Sequence, residues 1–168
     1  MRNTAKPSFD EVNALPCIAE GHVQARSTDG NGHMNVRHIY ALGVTGADLL
    51  SEHAGIDDEY RSARRMGTFA AEHHIGFFAE MREADAYSVH PLWVDRSERA
   101  GHVMVFVLNR STRKLASILE LIVVNMDLGG RASVPFPPDV ATKIDRAAAT
   151  AQAIPWPLPT SGAMSVRR

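Results

Sequence analysis

Residues 36–53 read Val-Arg-His-Ile-Tyr-Ala-Leu-Gly-Val-Thr-Gly-Ala-Asp-Leu-Leu-Ser-Glu-His, and this stretch decides the fold. Apolar side chains fall at Val36, Ile39, Tyr40, Leu42, Val44, Ala47, Leu49 and Leu50. They occupy most of the circumference of a helix rather than one stripe. The pattern predicts a helix over Val36–His53 that is buried on more than one side. Asn35 stands before it as an N-cap. Gly43 and Gly46 each weaken a helix by up to about 1 kcal/mol relative to Ala. They also remove bulk, so another element can approach closely there.

Upstream, residues 17–28 alternate in part, with Ile18, Val23 and Ala25 among polar neighbours, and predict a first strand. Residues 1–15 are mostly polar and are expected to form a flexible arm. Downstream, a short helix is expected over 57–64. Four runs rich in Val, Ile, Phe, Tyr and Trp then follow at 68–78, 87–95, 102–109 and 115–127. The connections between them are short and turn-like, which favours antiparallel neighbours. The run 115–127 is apolar on both faces, with Glu120 the one charge inside it, and should lie mid-sheet with both faces covered. Pro135, Pro137 and Pro138 break the chain before a terminal helix over Pro138–Gln152 and an extended Pro-rich tail.

This order of elements predicts an α+β hot-dog fold, a curved antiparallel sheet of about five to six strands wrapped around a central helix. The expected domain spans 16–134, with the helix and tail of 135–168 packed on it. A sheet of this kind leaves an open edge and an exposed outer face, so a homodimer or homotetramer is expected.

The chain has 168 residues, 45% hydrophobic and 22% charged, a balance that excludes collagen, coiled coil and bulk disorder. Its net charge of −1 lacks the basic excess of a nucleic-acid binder, so no nucleic-acid partner is expected. A polyanionic ligand would have to be met by a local patch. Cys17 is the only cysteine, which excludes an intrachain disulfide and a Cys-rich zinc site. No run approaches the roughly 18 apolar residues of a membrane span, and residues 1–10 lack a secretory apolar core. A cytoplasmic protein with no membrane association is the expectation. His73 and His74 should point to opposite faces of a strand, no HExxH spacing occurs, and no metal is expected.

The segment Asp29-Gly30-Asn31-Gly32-His33-Met34-Asn35 carries the chemistry. It brings a carboxylate, an imidazole and a carboxamide together where a strand runs into the start of a buried helix. Free N–H groups and the helix dipole there form a ready anion site. Hydrolysis of a thioester needs such a place, because an oxyanion develops on the carbonyl. One prearranged donor is worth about 3 kcal/mol of barrier. A carboxylate beside it can act as a base, worth about 10²–10⁴-fold, or attack the carbonyl itself. The same residues also make an ordinary turn followed by an ordinary cap.

Glu72 is a second carboxylate of interest. Strict alternation puts it on one face with Thr68, Ala70 and His74, and it could equally be solvated or paired with Arg64 or Arg65. Glu120 interrupts an apolar run, and a structural pairing is the expected reason. Arg96, Arg99, Arg110, Arg113 and Lys114 sit in two strand connections and could meet phosphates, or simply be solvated. Phe69, Phe77, Phe78 and Trp93 could line an apolar pocket or belong to the core.

Asp29-Gly-Asn-Gly-His-Met-Asn followed by Tyr40 resembles the D-x-x-G-H-[VM]-N signature of the 4-hydroxybenzoyl-CoA thioesterase-like family of hot-dog proteins. The resemblance runs over about residues 23–127. The features Thr68-x-x-x-Glu72-x-His74-Ile75 and Ala116-x-x-x-Glu120 look closest to the betainyl-CoA thioesterase branch associated with carnitine breakdown. The resemblance implies hydrolysis of an acyl-CoA across a dimer interface, with no cofactor beyond the coenzyme A of the substrate. It puts the catalytic carboxylate on Asp29 and matches His33 to the signature histidine, a further catalytic candidate; Glu72, from its place on the strand, is the third. The resemblance also puts an oxyanion donor near Val36 and matches Asn35 to the signature asparagine; Asn35, Thr68 and Tyr40 are the expected substrate contacts. Val36, Arg37 and His38 stand where many members carry a second Asn and a Tyr. A non-catalytic acyl-CoA-binding protein and a hot-dog hydratase are the alternative readings.

Overall fold

A computed structural model describes residues 6–166. The first five residues of the expected arm and the last two of the tail lie outside the described residues. The elements in chain order are α1 (Phe9–Asn13), β1 (Ala19–His22), α2 (Val36–His53), α3 (Asp58–Ala63), β2 (Met66–Phe77), β3 (Ala86–Arg96), β4 (Ala100–Asn109), β5 (Lys114–Asp127), β6 (Ala132–Ser133) and α4 (Pro138–Gln152). All strand pairs are antiparallel, in the order β1-β3-β4-β5-β2, with β6 pairing with the end of β5. This is a hot-dog fold, with α2 against the inner face of a curved sheet.

Helix α2 begins and ends where its pattern says it should. The Asn35 side chain accepts a hydrogen bond from the Arg37 N–H at 3.1 Å. Its inward face joins Ala47 and Leu50 to Val89, Val105, Leu119 and Leu121 of the sheet. The two glycines are the contact points. A Cβ on Gly43 would lie 2.8 Å from Leu119 Cδ2, and one on Gly46 would lie 2.6 Å from Val89 Cγ1 and 2.9 Å from Val105 Cγ1. A Gly46→Val substitution is therefore expected to destabilise the fold by at least about 1–3 kcal/mol through overpacking. Urea unfolding checks this, and an unchanged midpoint would mean that the helix can retreat from the sheet at no cost.

Three parts of the chain differ from their expected form. The first strand is shorter than residues 17–28. It stops at His22, and a single 3₁₀ turn follows at Ala25–Ser27, because Val23 turns inward to a small cluster with Met34, Ile39 and Met81. The expected arm carries α1, closed by a capping box in which Ser8 and Glu11 satisfy each other's N–H groups. The outer face of the sheet, expected to be exposed, is covered from within the chain. Val12 and Phe9 of α1, with Ile154, Trp156 and Leu158 of the tail, pack on Leu92, Met104, Phe106 and Ile118. The edge of β2 away from β5 pairs with no strand among the described residues.

Helix α4 lies along β3, beyond the end of the short β1. Its Val140, Ile144 and Ala148 complete the inner core, and Ala151 reaches the outer one. Among the described residues no helix is long and apolar enough to cross a membrane.

Candidate active site

The loop before α2 is folded back on itself. The Asp29 N–H donates to the His33 carbonyl at 3.0 Å, and the Gly32 N–H donates to the Asp29 carbonyl at 3.0 Å. Gly32 has φ of 78°, a left-handed conformation that suits glycine. The far side of the loop is anchored below. Met34 is buried, its N–H donates to the Met81 carbonyl at 2.6 Å, and the Asn35 N–H donates to the Ser27 carbonyl at 2.8 Å.

These constraints place the Asp29 carboxylate beside the first turn of α2. Its Oδ1 accepts from the Asn31 N–H at 2.9 Å, and its Oδ2 accepts from Asn35 Nδ2 at 3.2 Å. His33 Nδ1 stands 3.9 Å from Asp29 Oδ1. The Asp29 side chain is one-quarter exposed, so it faces neither bulk solvent nor the dry core. Asn35 thus has two tasks: its oxygen caps α2 while its amide nitrogen holds Asp29. Val36 follows at the first helical position, where an N–H has no intrahelical acceptor.

A cavity of about 330 Å³ opens next to this group, lined by His33, Met34, Val36, Ile39, Phe77, Phe78, Ala79 and Glu80. Its wall is mostly apolar, with one imidazole and one carboxylate. Asp29 itself lies just outside the lining, and His33 and Val36 join the two. The floor comes from the end of β2 and from residues 78–80, where the Phe78 and Ala79 N–H groups both donate to the Ala116 carbonyl. Glu80 and Ala79 belong to a segment that shows no periodicity, so nothing in the sequence marks them as pocket residues.

The remaining candidates divide. Tyr40 lies one turn beyond Val36, and its hydroxyl is 2.6 Å from His73 Nδ1. Burial lowers the His73 pKa below the usual histidine value and so favours the neutral ring beside the Tyr40 hydroxyl. No local pattern marks His73 as a partner of Tyr40, because the contact spans 33 residues of sequence.

Glu72 is not brought to the Asp29 group. The β2–β5 register shifts between Ala70, paired with Val123, and Glu72, paired with Ile122. This β-bulge adds one residue and reverses the alternation. Thr68 and Ala70 therefore share the inner face with His73, while Glu72 and His74 stand on the outer face of the edge strand. Thr68 lies in a separate hollow with Asp48, Ser51, Glu52 and Arg61, alongside the C-terminal half of α2. Of the aromatic candidates, Phe77 and Phe78 line the cavity, Phe69 is exposed on the edge strand, and Trp93 is buried in the inner core.

The four arginines do not form one site. Arg96 ends β3 and Arg99 lies in the β3–β4 turn, whereas Arg110 and Arg113 belong to the β4–β5 turn at the opposite end of β4. Each has an internal partner. Arg96 makes two hydrogen bonds of 2.6 Å to the Asp145 carboxylate, and Arg99 donates to the Ser133 carbonyl at 2.9 Å. Arg110 stands 3.7 Å from Glu20, and Arg113 pairs with Asp10. Glu120 is paired as expected, with His102 Nε2 at 2.8 Å, and its other oxygen accepts from the Ser161 N–H. Among the described residues no group of three or more His, Cys, Asp or Glu is arranged to hold a metal ion.

Residues 23–144 match the model of the thioesterase-like superfamily. The chain is 23% identical over 129 residues to a betainyl-CoA thioesterase of Pseudomonas aeruginosa, covering 77% of this chain and 81% of that protein. It is 26% identical over 151 residues to an L-carnitine dehydrogenase/betainyl-CoA thioesterase of Agrobacterium fabrum, covering 89% of this chain but only 30% of that longer protein. Among solved structures, a Staphylococcus aureus protein in complex with CoA superposes with a TM-score of 0.75 at 19% identity, covering 89% of this chain and 94% of the other.

Proposed function

The chain belongs to the thioesterase-like superfamily and is a thioester hydrolase, and from that premise we propose that it hydrolyses a small acyl-CoA with Asp29 as the reacting carboxylate. The observation that carries this reading is the Asp29 carboxylate held at the start of α2 by Asn31 and Asn35, beside an apolar cavity of about 330 Å³.

The chemistry follows from that placement. The thioester carbonyl oxygen points at the Val36 N–H, where the helix dipole favours the developing negative charge. Asp29 takes a proton from water as the water oxygen bonds to the carbonyl carbon. The tetrahedral intermediate then collapses, the C–S bond breaks, and the thiolate leaves and takes up the proton. In the alternative route the Asp29 oxygen attacks directly, and water opens the mixed anhydride. A single turnover in heavy-oxygen water that labels the enzyme requires that second route. His33 and Asn35 orient the carboxylate in both.

The cavity lining supports a finer choice. Phe77 and Phe78 offer aromatic faces and Glu80 a carboxylate, which together suit a cationic acyl group. Betainyl is such a group, and the two relatives above carry that name. The exposed side chains of Val36, Tyr40, Phe69, Phe77 and Phe78 lie along the first half of α2 and the open β2 edge. A second copy seated there would close the cavity and make the active unit a homodimer.

The test is thiol release from betainyl-CoA, short aliphatic acyl-CoAs and aryl-CoAs. Betainyl-CoA is expected to give the highest kcat/KM. Release from none of them, with CoA still bound, would favour the non-catalytic reading instead.

A further inference from the structure

A second hollow of about 200 Å³ lies against the first, beyond the ridge formed by Phe78 and Ala79, which line both. Its far wall is the N-terminal segment with Lys6 and Phe9, and its rim carries Arg113 and Lys114 from the β4–β5 turn. Lys6 Nζ stands 5.3 Å over the Phe78 ring, and the Arg113 guanidinium stands 4.4 Å over the Phe9 ring. Arg113 is neutralised by Asp10. Neither Lys6 nor Lys114 has a carboxylate partner among the described residues. Two unmatched ammonium groups thus face one hollow on a chain whose overall charge is −1.

Resting on the thioesterase reading above, we infer that this hollow holds the phosphorylated nucleotide end of the acyl-CoA, with Lys6 and Lys114 as its phosphate contacts. The pantetheine arm of CoA is long, flexible and uncharged, so it can cross the apolar Phe78–Ala79 ridge while the thioester reaches Asp29. The phosphates, which carry nearly all the charge of the molecule, then arrive where positive charge is unmatched. The cation–aromatic stacks on Phe9 and Phe78 hold the walls of the hollow. The four arginines expected for this task beside Lys114 are less suited, Arg113 because Asp10 holds it. Arg96 is spent on Asp145, and the β3–β4 turn lies at the other end of β4 from this hollow. The site also explains what α1 does beyond covering the sheet: it carries the wall that closes the hollow, and the capping box of Ser8 and Glu11 fixes it.

The experiment is calorimetric titration of the full chain with CoA and, separately, with pantetheine, which lacks the phosphates. The Lys6→Ala/Lys114→Ala double variant is expected to bind CoA about tenfold more weakly, with a shallower dependence on salt. Pantetheine binding should be unchanged. Hydrolysis should show the loss in KM for acyl-CoA, with kcat preserved and acyl-pantetheine turned over as in wild type. Unchanged CoA affinity in the double variant overturns the inference. So does an Arg99→Ala variant that loses CoA while the lysine variant keeps it, since the phosphates would then sit at the β3–β4 turn. Hydrolysis that persists in either case leaves the thioesterase reading standing. Lysine-dependent CoA binding without hydrolysis of any thioester would instead defeat that reading and leave this one.

Discussion

The Asp29→Asn variant is expected to fold as the wild type does and to release thiol from acyl-CoA at least about a hundredfold more slowly, the lower end of what general-base catalysis supplies. The substitution keeps the shape of the side chain and one acceptor oxygen. It replaces the other oxygen with an NH₂ group that must face either the Asn31 N–H or Asn35 Nδ2, donor against donor. Asn35 cannot simply turn over to relieve this, because its own oxygen caps α2 at Arg37. The structural penalty is therefore a strained contact or a weakened cap, about 1 kcal/mol. A hundredfold loss of rate corresponds to about 2.7 kcal/mol of barrier. The two effects can be separated: thermal unfolding reads the first, and thiol release at saturating substrate reads the second. Asn35→Ala gives the converse, since it loses the cap and the Asp29 contact together and so lowers both stability and rate. Turnover near the wild-type level in Asp29→Asn would remove the carboxylate from the mechanism.

What the sequence made legible follows from how local each signal is. Helix α2 is bounded correctly at both ends, because capping by Asn35 and the spacing from Val36 to Leu50 are properties of adjacent residues. Strands β3, β4 and β5 are equally clear, since charged turns of a few residues separate long apolar runs. The Asp29–Asn35 loop is local for the same reason, and its residues do converge. The bulge before Glu72 is different: an extra residue in a strand leaves no mark on a strict alternation, so the face of Glu72 was misassigned. The contact between Tyr40 and His73 and the walls built by residues 78–80 depend on distant strands meeting. The tail has no period at all. That Trp156 would lie edge-on to Phe106, with ring centroids 5.9 Å apart, is decided by the apolar outer face of β4 and not by the Pro-rich segment itself.

The same tail makes Glu120→Ala the substitution with the largest expected effect on stability, a loss of about 3–5 kcal/mol. That is a large share of the roughly 5–15 kcal/mol that holds a domain of this kind folded. The Glu120 side chain is 2% exposed and that of His102 is 6% exposed, with 2.8 Å between them. The second carboxylate oxygen accepts the Ser161 N–H at 2.7 Å, which fastens the tail to the outer face. Removing the carboxylate leaves a buried imidazole and a partly buried backbone amide without that acceptor, and such orphaned groups cost more than a hydrogen bond contributes. Replacing both members with apolar residues, as in Glu120→Met/His102→Leu, should therefore cost less than the single change. The single variant should also free the tail, seen as a change in Trp156 fluorescence and as earlier proteolysis beyond residue 153. The pair adds a pH dependence of definite sign. Burial by itself would raise the Glu120 pKa, but hydrogen bonds from His102 and Ser161 outweigh it and hold the carboxyl below its ordinary value. A group depressed in this way stabilises the fold fully above the ordinary glutamate range and loses that contribution as pH falls through the lowered value. Glu120→Gln should accordingly flatten the acid limb of the stability curve as well as lower its plateau. If Glu120→Ala unfolds at the wild-type denaturant midpoint, water must reach the pair, and the tail is not held by it.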